Sequence, residues 1–589
     1  MLKSPLAFAA RLSAPCLTLT MLLGGCASLK SPPPLPAATG DPTALTITAE
    51  VALKRGDCRA AAEDYAQASV VGDARLARKA TEVAIACEHL PAAWTAASRW
   101  RSLAPAEREA NALYALVALK LYRTAEARSA IRDYCRSAVD AGNTNQSPAR
   151  GAPQPLHPAR DQGQRALSEL VSLLLEEDDA AEVLAAMSAV PEPLASTPQS
   201  LALFGELALA AYDGKRAEAL ARQALSRDAR DFAALRVLAR AQVLRGDGER
   251  AIATARSGVA VDEVRGGLAL AEIFVSLDRI EQAHQQLESL RDHGVPAIEI
   301  DRRLALLAFQ SGDLKEAQQR FAALLANGEG NEGVQLYLAD IAVREGDPER
   351  ALADYRRLYD SAVAVAARSR AAALLLERPA RSESAHTEAL TLLDDYATEH
   401  PENELELNLA KAHLLADHGE PDAGLAVLGR TLERHPQHPQ IEYDRAVILD
   451  QAGHVHDSVG ALEQLLNQRP DDPTLLNALG YTLADHSLEL GRAENLIRRA
   501  LTVMPDSPAA LDSLGWVRFR RGDTRSAAGM LERAYSIGHD AEIAAHWGEA
   551  LWASGEQSEA RKVWAAALAR EPDSKPLKAT VARFIPDAK

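Results

Sequence analysis

Aromatic residues are scarce in this chain: 6 Trp, 12 Tyr and 8 Phe make up 4% of its 589 residues. So few rings exclude a core of aromatic layers and leave Ala and Leu to do the close packing. Cysteine is also scarce, at 5 residues, which excludes a disulfide-dense scaffold. The apolar run Leu17 to Leu23 is too short to cross a bilayer as a helix. Positive charge is in deficit, with 65 Lys and Arg against 82 Asp and Glu and a net charge of −17. Such a surface repels phosphate backbones and argues against a nucleic-acid partner. Signatures of chemistry are missing as well: there is no G-x-x-x-x-G-K-[ST], no G-x-S-x-G and no H-E-x-x-H. The best metal candidate is His454 and His456 with Asp457, near His435 and His438, but the pair falls in an exposed turn where polar residues are expected anyway. Acidic runs such as Glu176-Glu177-Asp178-Asp179 have no basic or aromatic partner and read as hydrophilic turns. The composition calls for no catalytic residues, no metal and no cofactor.

What is present is a period. Pro401, Pro436, Pro470 and Pro505 lie 35, 34 and 35 residues apart, each closing an Ala-rich apolar segment. Small residues recur with the same step, at Gly205, Ala239, Ala271, Ala305 and Ala339, then at Ala412, Ala446, Gly480, Gly515 and Gly548. A second series tracks the first at Ala217, Ala251, Ala283, Ala317 and Ala351, with looser counterparts at Ala61, Ala93 and Ala127. These are the places where two helices cross too closely for a large side chain, with larger apolar residues at i, i+3 and i+4 filling the stripe. The period predicts an all-α solenoid of about 13–15 helix pairs. Each pair would pack only on its neighbours, so length does not imply several globular domains.

The segment Leu511 to Tyr535, LDSLGWVRFRRGDTRSAAGMLERAY, carries Leu514-Gly515 in a first helix, Gly522-Asp523 at a turn, and Ala527, Leu531 and Ala534 in a second. The next unit repeats this with Gly548, Ala560, Trp564, Ala567 and Pro572. This pattern resembles the tetratricopeptide repeat (TPR) family, which implies a superhelical solenoid of helix–turn–helix units.

The N-terminus reads as an export address. Lys3 and Arg11 precede the short apolar run, and Leu23-Gly24-Gly25-Cys26 resembles a bacterial lipobox. That resemblance implies cleavage before Cys26 and acylation of its thiol and new amino terminus. An ordinary cleavage site with a coincidental Cys is the alternative. Ala27 and Ser28 follow, without the Asp that commonly retains lipoproteins at the inner membrane, so the resemblance implies the outer membrane, with the protein facing the periplasm. The expected organisation is a signal peptide at 1–25 and a lipidated Cys26 with a Pro-rich tether at 26–42. N-terminal repeats follow at 43–140, then a disordered loop at 141–163, the main array at 164–572 and a cap or tail at 573–589. The array has a weak spot at Arg378 to Ser384 (RPARSES), where one unit is hard to align. Cys58, Cys87 and Cys135 remain after export. Cys58 and Cys87 fall at equivalent turns of successive repeats, so a bridge is geometrically reasonable, with buried free thiols as the equal alternative.

TPR arrays generally bind partners on the concave face formed by the first helix of each pair. Taking the small residue as a phase marker selects Asn477, Tyr481 and Ala484, then Asp512, Trp516 and Phe519, then Ala545, Glu549 and Trp552. The aromatic series Tyr481, Trp516, Phe519 and Trp552, beside Asn477, Asp512 and Glu549, suits a groove that grips a peptide or a partner helix. Packing between helices is the alternative role for these rings. Arg518 stands where the family usually has a large apolar residue.

The units LNALGYTLAD (476–485), LDSLGWVRFRRGD (511–523) and AAHWGEALWASG (544–555), with the lipobox and the length, resemble the LbcA-type outer-membrane TPR lipoprotein adaptors. That resemblance implies partners: a periplasmic carboxyl-terminal processing serine protease, and cell-wall (peptidoglycan) hydrolases delivered to it as substrates. Two alternatives stay open. One is an assembly lipoprotein for an envelope machine, such as a type IV pilus secretin or a polysaccharide export pore. The other is a glycan-acting enzyme.

Overall fold

The computed structural model describes residues 40–144, 158–177, 180–328, 330–377, 383–572 and 574–585. Among these are 31 α-helices and no strand, arranged as fifteen antiparallel pairs and a final single helix. Cys26, tether residues 27–39 and residues 145–157 lie outside the described residues, as do residues 378–382 of the weak spot, while Pro42, expected at the end of the tether, begins the first helix.

The local chemistry that ends one helix and starts the next is repetitive. At many turns within a pair a glycine adopts a left-handed φ, as at Gly246 (80°), Gly312 (85°), Gly346 (79°) and Gly522 (85°). An Asp follows each of these. Asp313, Asp347 and Asp523 accept from the backbone N–H three residues on, satisfying a donor the helix start would otherwise orphan. The small residues of the period are buried at the crossings. Ala61, Ala93, Ala127, Ala217, Ala251, Ala283, Ala317 and Ala351 are all fully buried. A Cβ on Gly515 would come 2.6 Å from Leu531 Cγ, and one on Gly480 2.5 Å from Ile497 Cγ1.

Two boundaries differ from the sequence reading. Helix Thr124–Thr144 and helix Pro158–Glu177 both extend into the segment expected to be a loop at 141–163. The reason is packing: a Cβ on Gly163 would lie 3.1 Å from Val139, so Gly163 is a close-approach residue between these two helices and not part of a loop. At the other end, helix Lys575–Phe584 lays Leu577 over the last pair, in one cluster with Val563, Trp564 and Ala567. It covers the apolar face of that pair.

Cys58 and Cys87 form a disulfide with Cα atoms 5.3 Å apart, joining the start of helix Cys58–Val71 to the residue capping helix Ala74–Ala86. Closing a loop of 29 residues contributes roughly 3.5 kcal/mol. Cys135 is a buried free thiol, and burial pushes its pKa to about 12, which keeps it unreactive.

The superhelix closes on itself. Turns within pairs of the N-terminal half meet linkers between pairs of the C-terminal half, one superhelical turn later. Arg59 donates to the Glu433 carbonyl at 2.6 Å, Glu88 faces His438 at 3.7 Å, and the Arg469 guanidinium lies 4.1 Å from the centre of the Tyr122 ring. Arg570 pairs with Asp278, and Arg344 donates to the Arg570 carbonyl at 3.3 Å. Val503 and Met504 join the core around Ala211 and Ala217. Four turns of the first half place a non-glycine residue in the left-handed region: Glu88 (φ 49°), Tyr122 (56°), Tyr212 (44°) and Asp278 (57°). That conformation costs a non-glycine residue about 1 kcal/mol or more. Each of the four touches the opposite turn, Tyr212 through its carbonyl, which accepts from the Asp506 N–H. Beside Tyr122 this seam borders an open cleft of about 370 Å³ lined by Glu182, Asp213, Arg469 and Asp472, among others.

Candidate protein-binding groove

Helices Pro473–Asp485, Pro508–Arg520 and Ala541–Ala553 are the first members of three successive pairs. Because the pairs repeat with one phase, side chains about 34 residues apart stand side by side on one face of the array. The space between them is about 430 Å³, lined by Tyr481, Asp485, Trp516, Phe519, Glu542 and Glu549. Arg520, Ala545 and His546 complete that wall, and Pro576, Thr580 and Arg583 of the C-terminal helix form the other.

The sequence-selected residues fall into three groups. Tyr481, Trp516, Phe519 and Glu549 line this groove, with Asp512 buried directly beneath. Asn477 sits one helical turn before Tyr481 and does not line the groove; its Oδ1 is buried without a hydrogen-bond partner. Trp552 is elsewhere. Its ring packs 5.8 Å from Trp564 and 5.5 Å from Phe584, beneath the C-terminal helix. The phase that lines the groove at Tyr481 and Trp516 becomes a helix–helix contact at Trp552, because the C-terminal helix covers it. Of the small residues selected with them, Ala484 is fully buried core, while Ala545 lines the groove.

Trp516 is only 5% exposed. It stacks on His546 at 4.2 Å and Phe519 at 5.0 Å, and its indole N–H donates to Asp485 Oδ1 at 3.0 Å. The ring is thus a wall fixed by its neighbours. Tyr481 is half-buried, and its hydroxyl donates to Glu542 Oε1 at 3.2 Å. Burial, followed by the charges of Glu542, Asp512 and Asp485, holds its pKa well above the ordinary tyrosine value. Glu542 is reached by solvent through the groove, yet protein surrounds it closely enough that desolvation raises its pKa. Glu549 pairs with Arg583. Arg518 turns away from the groove to Glu494 at 2.9 Å, a carboxylate it shares with Arg498 and Arg521. An ion cluster therefore replaces the usual apolar contact there.

Sequence reasoning missed His546. Its Nδ1 lies 3.0 and 3.1 Å from the two Asp512 oxygens, and both residues are buried. They are 34 residues apart, one repeat, so the period itself carried the signal. Glu542 and the cap residues were also missed. Of the histidines considered for metal, His438 faces Glu88 and His454 lies 3.5 Å from Asp422, while both ring nitrogens of His435 are buried without a hydrogen-bond partner. Among the described residues no group of three or more His, Cys, Asp or Glu is placed to hold a metal ion.

A tetratricopeptide-repeat family model matches residues 302–372 and 409–473. A TPR repeat-containing protein of Pseudomonas aeruginosa is 30% identical over 212 residues, which cover 36% of this chain and 35% of that protein. The chain thus matches about a third of that relative's length. Among solved structures, a thermophilic TPR protein of Thermus thermophilus is 23% identical, covering 30% of this chain and 97% of its own, with a TM-score of 0.28. The Cut9–Hcn1 hetero-tetramer of the APC/C is 15% identical, covering 93% of this chain and 97% of its own, with a TM-score of 0.29. The fold of the described residues is an all-α solenoid of helix pairs, and similarity to the tetratricopeptide-repeat family is shown for residues 302–372 and 409–473 within it.

Proposed function

We propose that this chain is an outer-membrane-anchored adaptor lipoprotein that binds a periplasmic carboxyl-terminal processing protease and presents cell-wall hydrolases to it. The TPR repeats support a protein-binding scaffold. The observation that carries the finer reading is the groove, where Tyr481, Trp516 and Phe519 meet four carboxylates in the three units whose sequences resemble the adaptor group. Rigid aromatic walls with a few charged groups are what interface hot spots use. The mechanism is proximity: one scaffold holds protease and substrate together and raises their effective concentration. Acyl chains on Cys26, at about 0.8 kcal/mol per buried CH2, would keep that assembly at the membrane.

The test uses the purified protein, a carboxyl-terminal processing protease and a cell-wall hydrolase from the same periplasm. The expected result is capture of the protease and faster cleavage of the hydrolase, with no hydrolysis by this chain alone. A protease that neither binds nor speeds up would overturn the adaptor role and favour envelope assembly.

A further inference from the structure

Three of the four carboxylates at the groove already have a partner. Asp485 accepts from the Trp516 indole and lies 3.7 Å from Arg520. Asp512 holds the His546 imidazole, and Glu549 holds Arg583. Glu542 differs. It stands at the start of helix Ala541–Ala553, open to the groove, and its hydrogen-bond partner is the neutral Tyr481 hydroxyl. A phenol brings no positive charge, and the nearby His546, whose charge favours the Glu542 carboxylate, is hydrogen-bonded to Asp512. Desolvation raises the Glu542 pKa; the His546 charge offsets part of that, and the negative charges of Asp512 and Asp540 add to it.

The chain also shows which groups this surface accepts. Arg583 enters the groove from a separate helix to meet Glu549, and the Arg520 guanidinium lies 5.6 Å from the centre of the Trp516 ring. Guanidinium against acid and aromatic face is the chemistry already in use here. An anionic segment would instead meet Glu542, the groove carboxylate without an ion-pair partner, and like charges at an interface are strongly disfavoured.

We infer that the partner segment entering this groove carries a cationic side chain, an arginine or lysine flanked by apolar residues, with Glu542 as its counter-charge and the Tyr481 and Trp516 rings beside it. This rests on reading the groove as partner-binding, and it names the partner's chemistry.

The test titrates the purified protein with three blocked tripeptides, Leu-Arg-Leu, Leu-citrulline-Leu and Leu-Glu-Leu, followed by saturation-transfer NMR. Citrulline keeps the shape of arginine without its charge. The arginine peptide is expected to bind about fivefold or more tighter than the citrulline peptide. Glu542→Gln should abolish that preference without changing the melting temperature, and Glu542→Lys should reverse it in favour of the glutamate peptide. Charge on ligand and on residue 542 would then be coupled, as in a double-mutant cycle. Equal binding of the arginine and citrulline peptides, an arginine preference that survives Glu542→Gln, or no binding of any peptide would overturn the inference. No protease is present in this titration. A chain that selects arginine yet ignores the protease overturns only the adaptor role, and one that captures the protease without any arginine preference overturns only this inference.

Discussion

Asp506 and Gly214 lie 292 residues apart in the chain and share a hydrogen bond, the Gly214 N–H donating to Asp506 Oδ2 at 3.1 Å. The Asp506 N–H donates in turn to the Tyr212 carbonyl at 3.2 Å, and Arg533 pairs with the second carboxylate oxygen. Asp506 is 3% exposed. One residue therefore latches two superhelical turns through backbone and side chain together. Asp506→Ala leaves a buried N–H and a guanidinium without their acceptor and should cost about 2–3 kcal/mol. Urea denaturation measures that loss, and small-angle scattering should show a larger radius. Asp506→Asn keeps an acceptor for Gly214 and should recover part of it. Asp278, on the more exposed pair with Arg570, should cost no more than about 1 kcal/mol when replaced by Ala.

The glycines of the array divide by what surrounds them. Gly515→Leu drives a side chain into Leu531, and overpacking of this kind costs roughly 1–3 kcal/mol. Gly548→Ala should do comparable damage, because its new Cβ would overlap the Trp564 indole. At Gly460, exposed within helix Val455–Gln468, a Cβ meets nothing within 4 Å. Gly460→Ala should raise stability by about 0.5–1 kcal/mol through helix propensity. Thermal melts of the three variants check the sign of each.

Trp516 and Tyr481 should separate folding from binding. Truncating the buried, stacked Trp516 to Ala is expected to lower stability by about 3–5 kcal/mol as well as weaken capture of the partner. Tyr481→Ala, at a half-buried ring, should weaken capture by about 2 kcal/mol if the ring is a hot spot, with helicity unchanged. Binding and circular dichroism measured on both variants distinguish the two roles.

His546 gives the array a pH dependence. Burial disfavours the imidazolium, but the charges of Asp512 and Glu542 outweigh it and hold the pKa above the ordinary 6.5. A histidine raised in the folded state contributes stability that is fully present below its unfolded pKa. That contribution is lost as pH rises through the folded value. Urea midpoints should therefore fall from about pH 6 to about pH 9 more steeply in the native protein than in His546→Gln.

Cys26→Ser removes the thiol that acylation requires. On the proposed lipid anchor, the variant should stay unprocessed or leave the outer-membrane fraction. If it still sediments with that membrane, acylation is not what holds the protein there.

The sequence by itself determined the all-α repeat, the buried crossings at Gly480 and Gly515, the Gly-Asp turns, and the phase that brings Tyr481, Trp516, Phe519 and Glu549 to one groove. These are nearest-neighbour properties, set by residues within one or two repeats, so a period of 34 expresses them. The same period could have paired Asp512 with His546. Only the tertiary structure decided that Trp552 lies under the cap, that Pro576, Thr580 and Arg583 close the groove, and that Asp506 meets Gly214. The pitch of a superhelix sums small rotations between neighbours over roughly nine or ten repeats. No local pattern records that sum, so contacts between one superhelical turn and the next are invisible until the whole array is built.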